Sequence, residues 1–472
     1  MLGLFNTLNL GARALTAQQL GVEVTGQNLA NANNPAYARQ RVQLQTSTPT
    51  PTGIGMEGTG VEAVSIQQVR DQLLDGQIRS ESSVGGYWNS QQNTLENAQT
   101  QLGEFLNLSS SGASSTSSSA TTQGLSGQLN NLFSAFQGVA TSPTDPTARQ
   151  SLVNAAQSLA SGFNQASQNL SMLSSQLNTS VSNDVSSANQ LLSNIATLNG
   201  QIAKATASGG NANDLMDSRE QDLENLAQLA NIQTAANSNG TVSVSIGGQQ
   251  LVSGSALSDT LATYDPGNGQ LQVQTATSAT PLTLSGGSIQ GAIDARDGTL
   301  ATLRSNLDTM ASTLITQVNG IYQNGYDLNG GHGANFFTGA DAATIGVNPA
   351  LQNDPSQVQA AGVANAAGDN TVALQLAQLG QQSQAALNNQ TFSGAYALDV
   401  ADFGNALSNA NDQVNNYNSV NTMLLNHRDS VSGVSLEEET TNLITFQKAY
   451  EASAKIISTV NEMLSTVINM KS

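Results

Sequence analysis

Residues 434–472 contain neither glycine nor proline and carry an unbroken heptad. Leu436, Leu443, Tyr450, Ile457 and Leu464 recur at every seventh position, Phe446, Val460 and Val467 repeat beside them, and Ile468 closes the run. The stretch is predicted to be one helix spanning about 57 Å at ~1.5 Å per residue, with a stripe too long for a turn folding back to cover. Gly433 precedes it, and Glu437, Glu438 and Glu439 fall in the first turn, where a helix N-terminus favours negative charge. The other end of the chain has the same character: Leu8, Leu15, Val22 and Leu29 share a heptad position with Met1, and Leu4, Ala12 and Leu20 lie near the stripe. Gly11, Gly21 and Gly26 are expected to weaken this helix by ~1 kcal/mol each relative to alanine. Two helices that are marginal alone, one at each end, are expected to pair with each other or with neighbouring subunits. A surface helix packed on a globular core satisfies the same periodicity.

Composition narrows what lies between. With 10% charged and 4% aromatic residues, the chain favours thin, elongated helical layers over a thick core. A formal charge of -19 repels phosphate backbones and anionic membrane surfaces, so no nucleic acid partner is expected. There is no cysteine, which removes disulfides, thiol nucleophiles and thiolate metal sites. No apolar run approaches the ~18 residues of a membrane span, so no membrane insertion is expected. Residues 1–29 lack a basic region followed by an apolar core, so no cleaved secretory signal is expected. His332 and His427 are the only histidines, far apart and outside any recognisable nucleophile or metal arrangement, and no P-loop occurs. No catalytic, cofactor-binding or metal-ligating residue is assigned, no cofactor is expected, and the function is placed in surfaces.

Between the ends, residues 42–66 read as extended. Gly53, Gly55 and Gly58 satisfy G-x-G-x-x-G, but Gly60 and Val61 continue as strand where a dinucleotide site needs a helix, so a turn is expected. Helical periodicity covers 69–108, and the Ser/Thr-rich tract 109–122 reads as a surface loop. Asp145 and Pro146 mark a helix start. Its seam runs through Leu152, Ala156, Leu159, Phe163, Ala166, Leu170, Leu173 and Leu177, slips once, and continues through Val181, Val185, Ala188, Leu192, Ile195, Leu198 and Ile202. Asp214 is expected to cap a helix over 215–232 whose Asp217, Glu220, Asp222 and Glu224, mixed with Arg219, read as a solvated, salt-bridged face. In 237–287 the period switches to two around Val242, Val244 and Ile246, then around Leu271 and Val273, predicting hairpins. Helix returns over 289–322. The loop from Asp327 fails as a calcium loop, with Gly331 and His332 at its fifth and sixth positions and Thr338 at its twelfth. Phe336 and Phe337 read as a hydrophobic plug, 339–369 as loop, and 371–428 as a last helical stretch. The fold class is therefore mainly α with a small β insertion, elongated, with discontinuous domains. These are a terminal coiled-coil domain (1–60 with 430–472), a long-helix bundle (61–236 with 288–429), and a small β domain (237–287).

The segment after the first helix adds a motif. Asn28, Asn31, Pro35, Tyr37 and Arg39 resemble the N-terminal signature N-x-A-N-x-x-x-x-G-Y-x-R of the flagellar axial proteins, the rod, hook and hook-associated family, with Ala36 in place of the usual glycine. Further matches point to the hook-associated branch: Asp145-Pro146-Thr147-Ala148-Arg149-Gln150, the helix start at Asn213 and Asp214, Gly325-Tyr326-Asp327 with Asn335-Phe336-Phe337, and the run from Ser430 to Glu439 leading into Asn442, Leu443, Phe446, Gln447 and Tyr450. The resemblance implies a protein exported unfolded, without a cleaved signal, that forms an extracellular ring between hook and filament. Its implied partners are further copies of itself, the hook protein, a second junction protein with the filament, and an export chaperone on the C-terminal helix. Many members carry a further β domain near 348–370, where this chain has a loop. The rival reading is a fibrous surface or phage-tail-like protein that trimerises through 152–202 and the C-terminal helix. An appended peptidoglycan hydrolase would need a paired-carboxylate or Cys/His constellation that the sequence does not supply.

Overall fold

Asn31, whose carbonyl accepts from Asn34 N at 2.9 Å, turns the chain out of its first helix, α1 (Leu2–Ala30). The structure, a computed structural model, describes residues 2–52, 55–106 and 124–470. Met1, Gly53 and the expected surface loop at 109–122 lie outside the described residues. After α1, β1 (Gln40–Thr46) pairs antiparallel with β4 (Val61–Gln68), with a bulge between Gln43 and Leu44. Between them β2 (Thr50–Thr52) and β3 (Gly55–Glu57) form a hairpin whose Gly55 takes φ +133°, a region L side chains rarely adopt. The glycine cluster thus serves a hairpin.

Helices α2 (Gln72–Leu106), α3 (Leu125–Thr141) and α4 (Pro146–Ala207) follow. Asp145 caps α4 as expected, its carboxylate accepting from Thr147 N at 2.9 Å with Pro146 in the first turn. An Asp145→Ala change is expected to cost about 1 kcal/mol, read as a lower urea midpoint at unchanged slope. At 62 residues α4 is about 93 Å long. Every predicted seam residue of α4 is buried except Leu198, which is half-buried because Asn199 takes the inward position. The seam is covered within the chain, by α3 and the elements that follow.

Helix α5 (Asn213–Leu229) starts two residues earlier than a cap at Asp214 requires. Ala212 occupies the cap position, and Asp214 instead accepts from Gln40 Nε2 at 2.8 Å. Strands β5 (Ile232–Ala236), β6 (Val242–Ile246), β7 (Gln249–Ser253) and β8 (Ala256–Leu257) form one antiparallel sheet, and β9 (Leu261–Tyr264) pairs with β10 (Gln272–Thr275). Three asparagines of α4, three turns apart, fasten these strands by pairing both side-chain atoms with backbone. Asn199 Nδ2 donates to the Val242 and Gly254 carbonyls, each at 2.7 Å, and its Oδ1 accepts from Val242 N at 3.0 Å. Asn189 holds Leu261 in the same way (2.8 and 2.7 Å), and Asn178 bridges Gly269 and Leu271 (2.9 and 3.1 Å).

Helix α6 (Gly287–Asp294) passes through a π-helical turn (Ala295–Leu300) into α7 (Ala301–Tyr322). The expected plug is present: Phe336 and Phe337 are fully buried beside Tyr322 and Phe136, and Asn319 Oδ1 accepts from both their amides at 2.9 Å. Asp327 spends a carboxylate oxygen on the amides of Asn329 (2.7 Å) and Gly331 (2.8 Å), closing its own turn. A short β11 (Phe337–Thr338) with β12 (Gly346–Val347), then α8 (Pro349–Asn353), lead into α9 (Thr371–Leu379). The expected single helical stretch over 371–428 is broken after α9. Asn388 and Asn389 take φ +54° and +62°, and Thr391 then caps α10 (Phe392–Ser432), accepting from Gly394 N at 3.1 Å. Helix α11 (Leu436–Asn469) ends the described chain and packs along α1, while α2 packs against α10, α5 and α6. Mainly helical architecture with small antiparallel sheets and paired terminal helices is what the sequence implied.

Candidate assembly site

The face that α1 turns to α11 carries the buried Gly11, Gly21 and Asn28. Ala17 and Val24 are buried on the same helix. A Cβ on Gly21 would lie 2.6 Å from the Phe446 ring, and one on Gly11 would lie 2.9 Å from Ile457 Cγ1. These glycines, read from sequence as weak points, are the seats that admit Phe446 and Ile457 and let the two backbones approach. The leucine heptad of α1 flanks that seam: Leu8, Leu15 and Val22 are half-buried and Leu29 is exposed. On α11, Glu439, Ser453 and Val460 are buried, while Leu443, Phe446, Ile457 and Leu464 are half-buried. Leu436, Tyr450, Val467 and Ile468 are exposed, Ile468 to 67% and Leu436 to 54%. One chain therefore covers only one side of its terminal pair.

The turn after α1 is a polar joint built on Asn28, whose side chain is buried. Its Nδ2 donates to the Gln40 carbonyl at 2.8 Å and to Glu439 Oε2 at 2.9 Å, and its Oδ1 accepts from Gln40 N at 2.9 Å and Tyr37 OH at 2.8 Å. Arg39 pairs with Glu438 and Glu439 of α11, each at 2.8 Å, and its amide donates to the Ser432 carbonyl at 2.9 Å. Asn31 bonds back to the Gln27 carbonyl at 3.0 Å, and Pro35 is exposed at the tip of the turn. Ala36, where the signature has glycine, is not among the residues with positive φ. It thus sits in a backbone that an L side chain accepts.

The same turn meets the bundle through the start of α5. Ala38 N donates to Asp217 Oδ2 at 3.2 Å, and Arg70 reaches Asp217 at 2.9 Å, Asp75 at 3.2 Å and the Ala36 carbonyl at 3.3 Å. Gln68 Nε2 donates to the Asn213 carbonyl at 2.7 Å, and Asn213 Nδ2 donates to Gln40 Oε1 at 3.1 Å. The acidic residues of α5 are therefore no solvated face: Asp217 and Arg219 are buried, and Glu220, Asp222 and Glu224 are half-buried. The salt bridging expected of them is present, with Arg79 on Glu220 and Arg428 on Glu224. Burial pushes the Asp217 carboxyl up to about 6 against the pull of Arg70. Burial also raises the Tyr37 phenol, with Asp214, Asp217 and Glu439 adding to it, so Tyr37 remains a donor to Asn28. The sequence singles out Asn28, Tyr37 and Arg39 for this joint; it marks Asn213 and Asp217 only as part of a helix start, and Gln40 and Arg70 have no assigned role. Their partners lie on segments remote in sequence, so no local pattern shows that they meet.

Among the described residues no helix is long and apolar enough to cross a membrane, and no group of three or more His, Asp or Glu is placed to hold a metal ion. Two terminal helices zipped through small residues, bare on one side, and bolted by a polar joint to a long bundle define a structural subunit that assembles through its ends. The comparisons agree with that class. The family described as the flagellar hook-associated protein FlgK helical domain matches residues 114–337, and the C-terminal family of the flagellar basal body rod FlgEFG proteins matches 427–470. The chain is 29% identical over 518 aligned positions to flagellar hook-associated protein 1 of Bacillus subtilis (strain 168), covering 99% of each. To the Salmonella typhimurium (strain LT2) protein of that name it is 24% identical over 571 positions, covering 98% of this chain and 99% of the relative. The alignment is longer than the 472-residue chain, so that relative carries segments absent here. The solved hook junction protein FlgK from Burkholderia pseudomallei shares the fold, with a TM-score of 0.62 at 20% identity over 75% of this chain and all of that one. Along nearly its whole length the chain matches flagellar hook-associated protein 1, a non-enzymatic structural protein of the extracellular hook–filament junction.

Proposed function

We propose that this chain forms the first ring on the distal end of the hook and adapts hook to filament through the bare side of its α1/α11 pair. In that reading the pair forms an inner coiled-coil domain (1–60 with 430–472), the long-helix bundle (61–236 with 288–429) lies outside it, and the small β domain (237–287) faces solvent. Each subunit contacts further copies of itself, the hook protein on one side, and a second junction protein with the filament on the other. An export chaperone covers the C-terminal helix until secretion. The observation that carries the reading is the exposed apolar side of α11, including Leu436, Tyr450, Val467 and Ile468, on a helix that α1 otherwise occupies.

The rival fibrous trimer loses its main support, because the 152–202 seam is already buried inside the chain and offers no stripe to a second copy. Immunogold microscopy on intact cells, with antibody against residues 237–290, tests the proposal. Label is expected as a single band between hook and filament; label scattered over the envelope would refute it.

A further inference from the structure

The joint contains more carboxylates than guanidinium groups to balance them. Arg70 lies 2.9 Å from Asp217, 3.2 Å from Asp75 and 3.9 Å from Glu220, and Arg79 also pairs with Glu220. Three carboxylates thus share two cations, and none of the five side chains is more than 16% exposed. The surrounding charges do not restore the balance. On α5, Arg219 bonds Asn199 and the Gly240 carbonyl, keeps its charge and acts on Glu220, while the negative charge of Asp214 acts on Asp217 and offsets it. Arg428 of α10 is taken by Glu224, and Arg39 of the linking turn by Glu438 and Glu439 of α11. Tyr37, facing the cluster from the same turn, is a neutral phenol. A surplus charge held away from water is costly, and the usual relief is for one acid to take a proton.

Asp217 is where the cluster touches the linking turn. One of its oxygens accepts from Ala38 N, and the other meets Arg70, which also holds the Ala36 carbonyl. We infer that Asp217 is a proton-holding latch: the docked joint takes up a proton as its surroundings pass from neutral to mildly acidic, and this tightens the terminal helix pair onto the bundle. If the turn swings away, Asp217 is hydrated and its carboxyl returns to the ordinary range; docked, burial holds it near 6. The docked state therefore binds the proton more tightly. Its advantage grows as pH falls from neutral towards the ordinary carboxylate range and is lost as pH rises through the docked value.

Amide hydrogen exchange of residues 36–40 in the full chain, corrected for intrinsic rate, reads the opening. Opening is expected to become about tenfold rarer between pH ~7.5 and pH ~5. Asp217→Asn is expected to abolish that dependence and stay closed at both values. Asp75→Asn, which removes one of the competing carboxylates, should already be tighter at the higher pH and show a smaller response. An unchanged or faster exchange in acid for the parent chain, or a persisting response in Asp217→Asn, overturns the latch. So does an equal change in α3, which would trace the effect to general relief of the chain's negative charge, and so does an undiminished response in Asp75→Asn.

Discussion

Cells carrying Gly21→Leu are expected to lose attached filaments and swimming, while the purified chain keeps its bundle. A Cβ at position 21 would stand 2.6, 2.7 and 2.8 Å from three carbons of the Phe446 ring, before the rest of a leucine is placed. Overpacking of one methylene or so in a well-fitted contact costs ~1–3 kcal/mol. Leucine adds a whole branched side chain to a seam with no second layer behind it. The ring cannot yield inward, because it already lies against the α1 backbone, so the helices must part. Once parted, α1 loses the packing that sustains it, since isolated helices are marginal even at good propensity. The bundle is held elsewhere, by α3, α4, α7 and α9, and should melt as before. Phe446→Ala in the same chain empties the space the leucine needs and is expected to return part of the swimming radius in soft agar. Full motility of Gly21→Leu alone would mean that this contact does not carry assembly.

The α4 seam was legible because its apolar residues repeat at helical spacing and are buried as a continuous run. On α1 the leucine heptad is legible, whereas the close approach at Gly11 and Gly21 is not, because glycine carries no apolar signal. The β insertion announced itself through its period of two. Its attachment did not, because an amide that mimics backbone looks like any polar residue. Asn178, Asn189 and Asn199 do recur at three-turn intervals along α4, a signal that could have been taken. The break after α9 was marked by Asn388 and Asn389, whose side chains tolerate the left-handed conformation both adopt. At the joint, a motif supplied Asn28, Tyr37 and Arg39, but Glu439 is more than four hundred residues from Asn28, and only folding reveals that one binds the other.

The pairing of Asn28 with Glu439 yields the second large effect. Asn28→Leu keeps the number and branching of the side-chain heavy atoms, so it opens no cavity; what it removes is hydrogen bonding. Glu439, only 2% exposed, would keep Arg39 but lose its bond to Asn28 Nδ2, and the Gln40 amide and carbonyl and the Tyr37 hydroxyl would lose their partner. Each buried polar group left unmatched costs about 1–3 kcal/mol, more when charged, and relaxation recovers part of the sum. A net loss of about 4 kcal/mol from the joint is expected, enough to free the turn at 31–39 for protease attack while α2, α4 and α10 remain protected. Asn28→Asp separates hydrogen bonding from charge. It keeps both acceptor bonds to Gln40 N and Tyr37 OH but sets a carboxylate against Glu439 in place of a donor. It should be cleaved at neutral pH and recover protection in mild acid, as either carboxylate takes a proton. Asn28→Leu has no proton to gain there and should stay open across the range. If both variants resisted protease as the parent chain does, the joint would be held by its other contacts, Arg39 with Glu438 and Glu439 and Ala38 with Asp217, and Asn28 would have to act elsewhere.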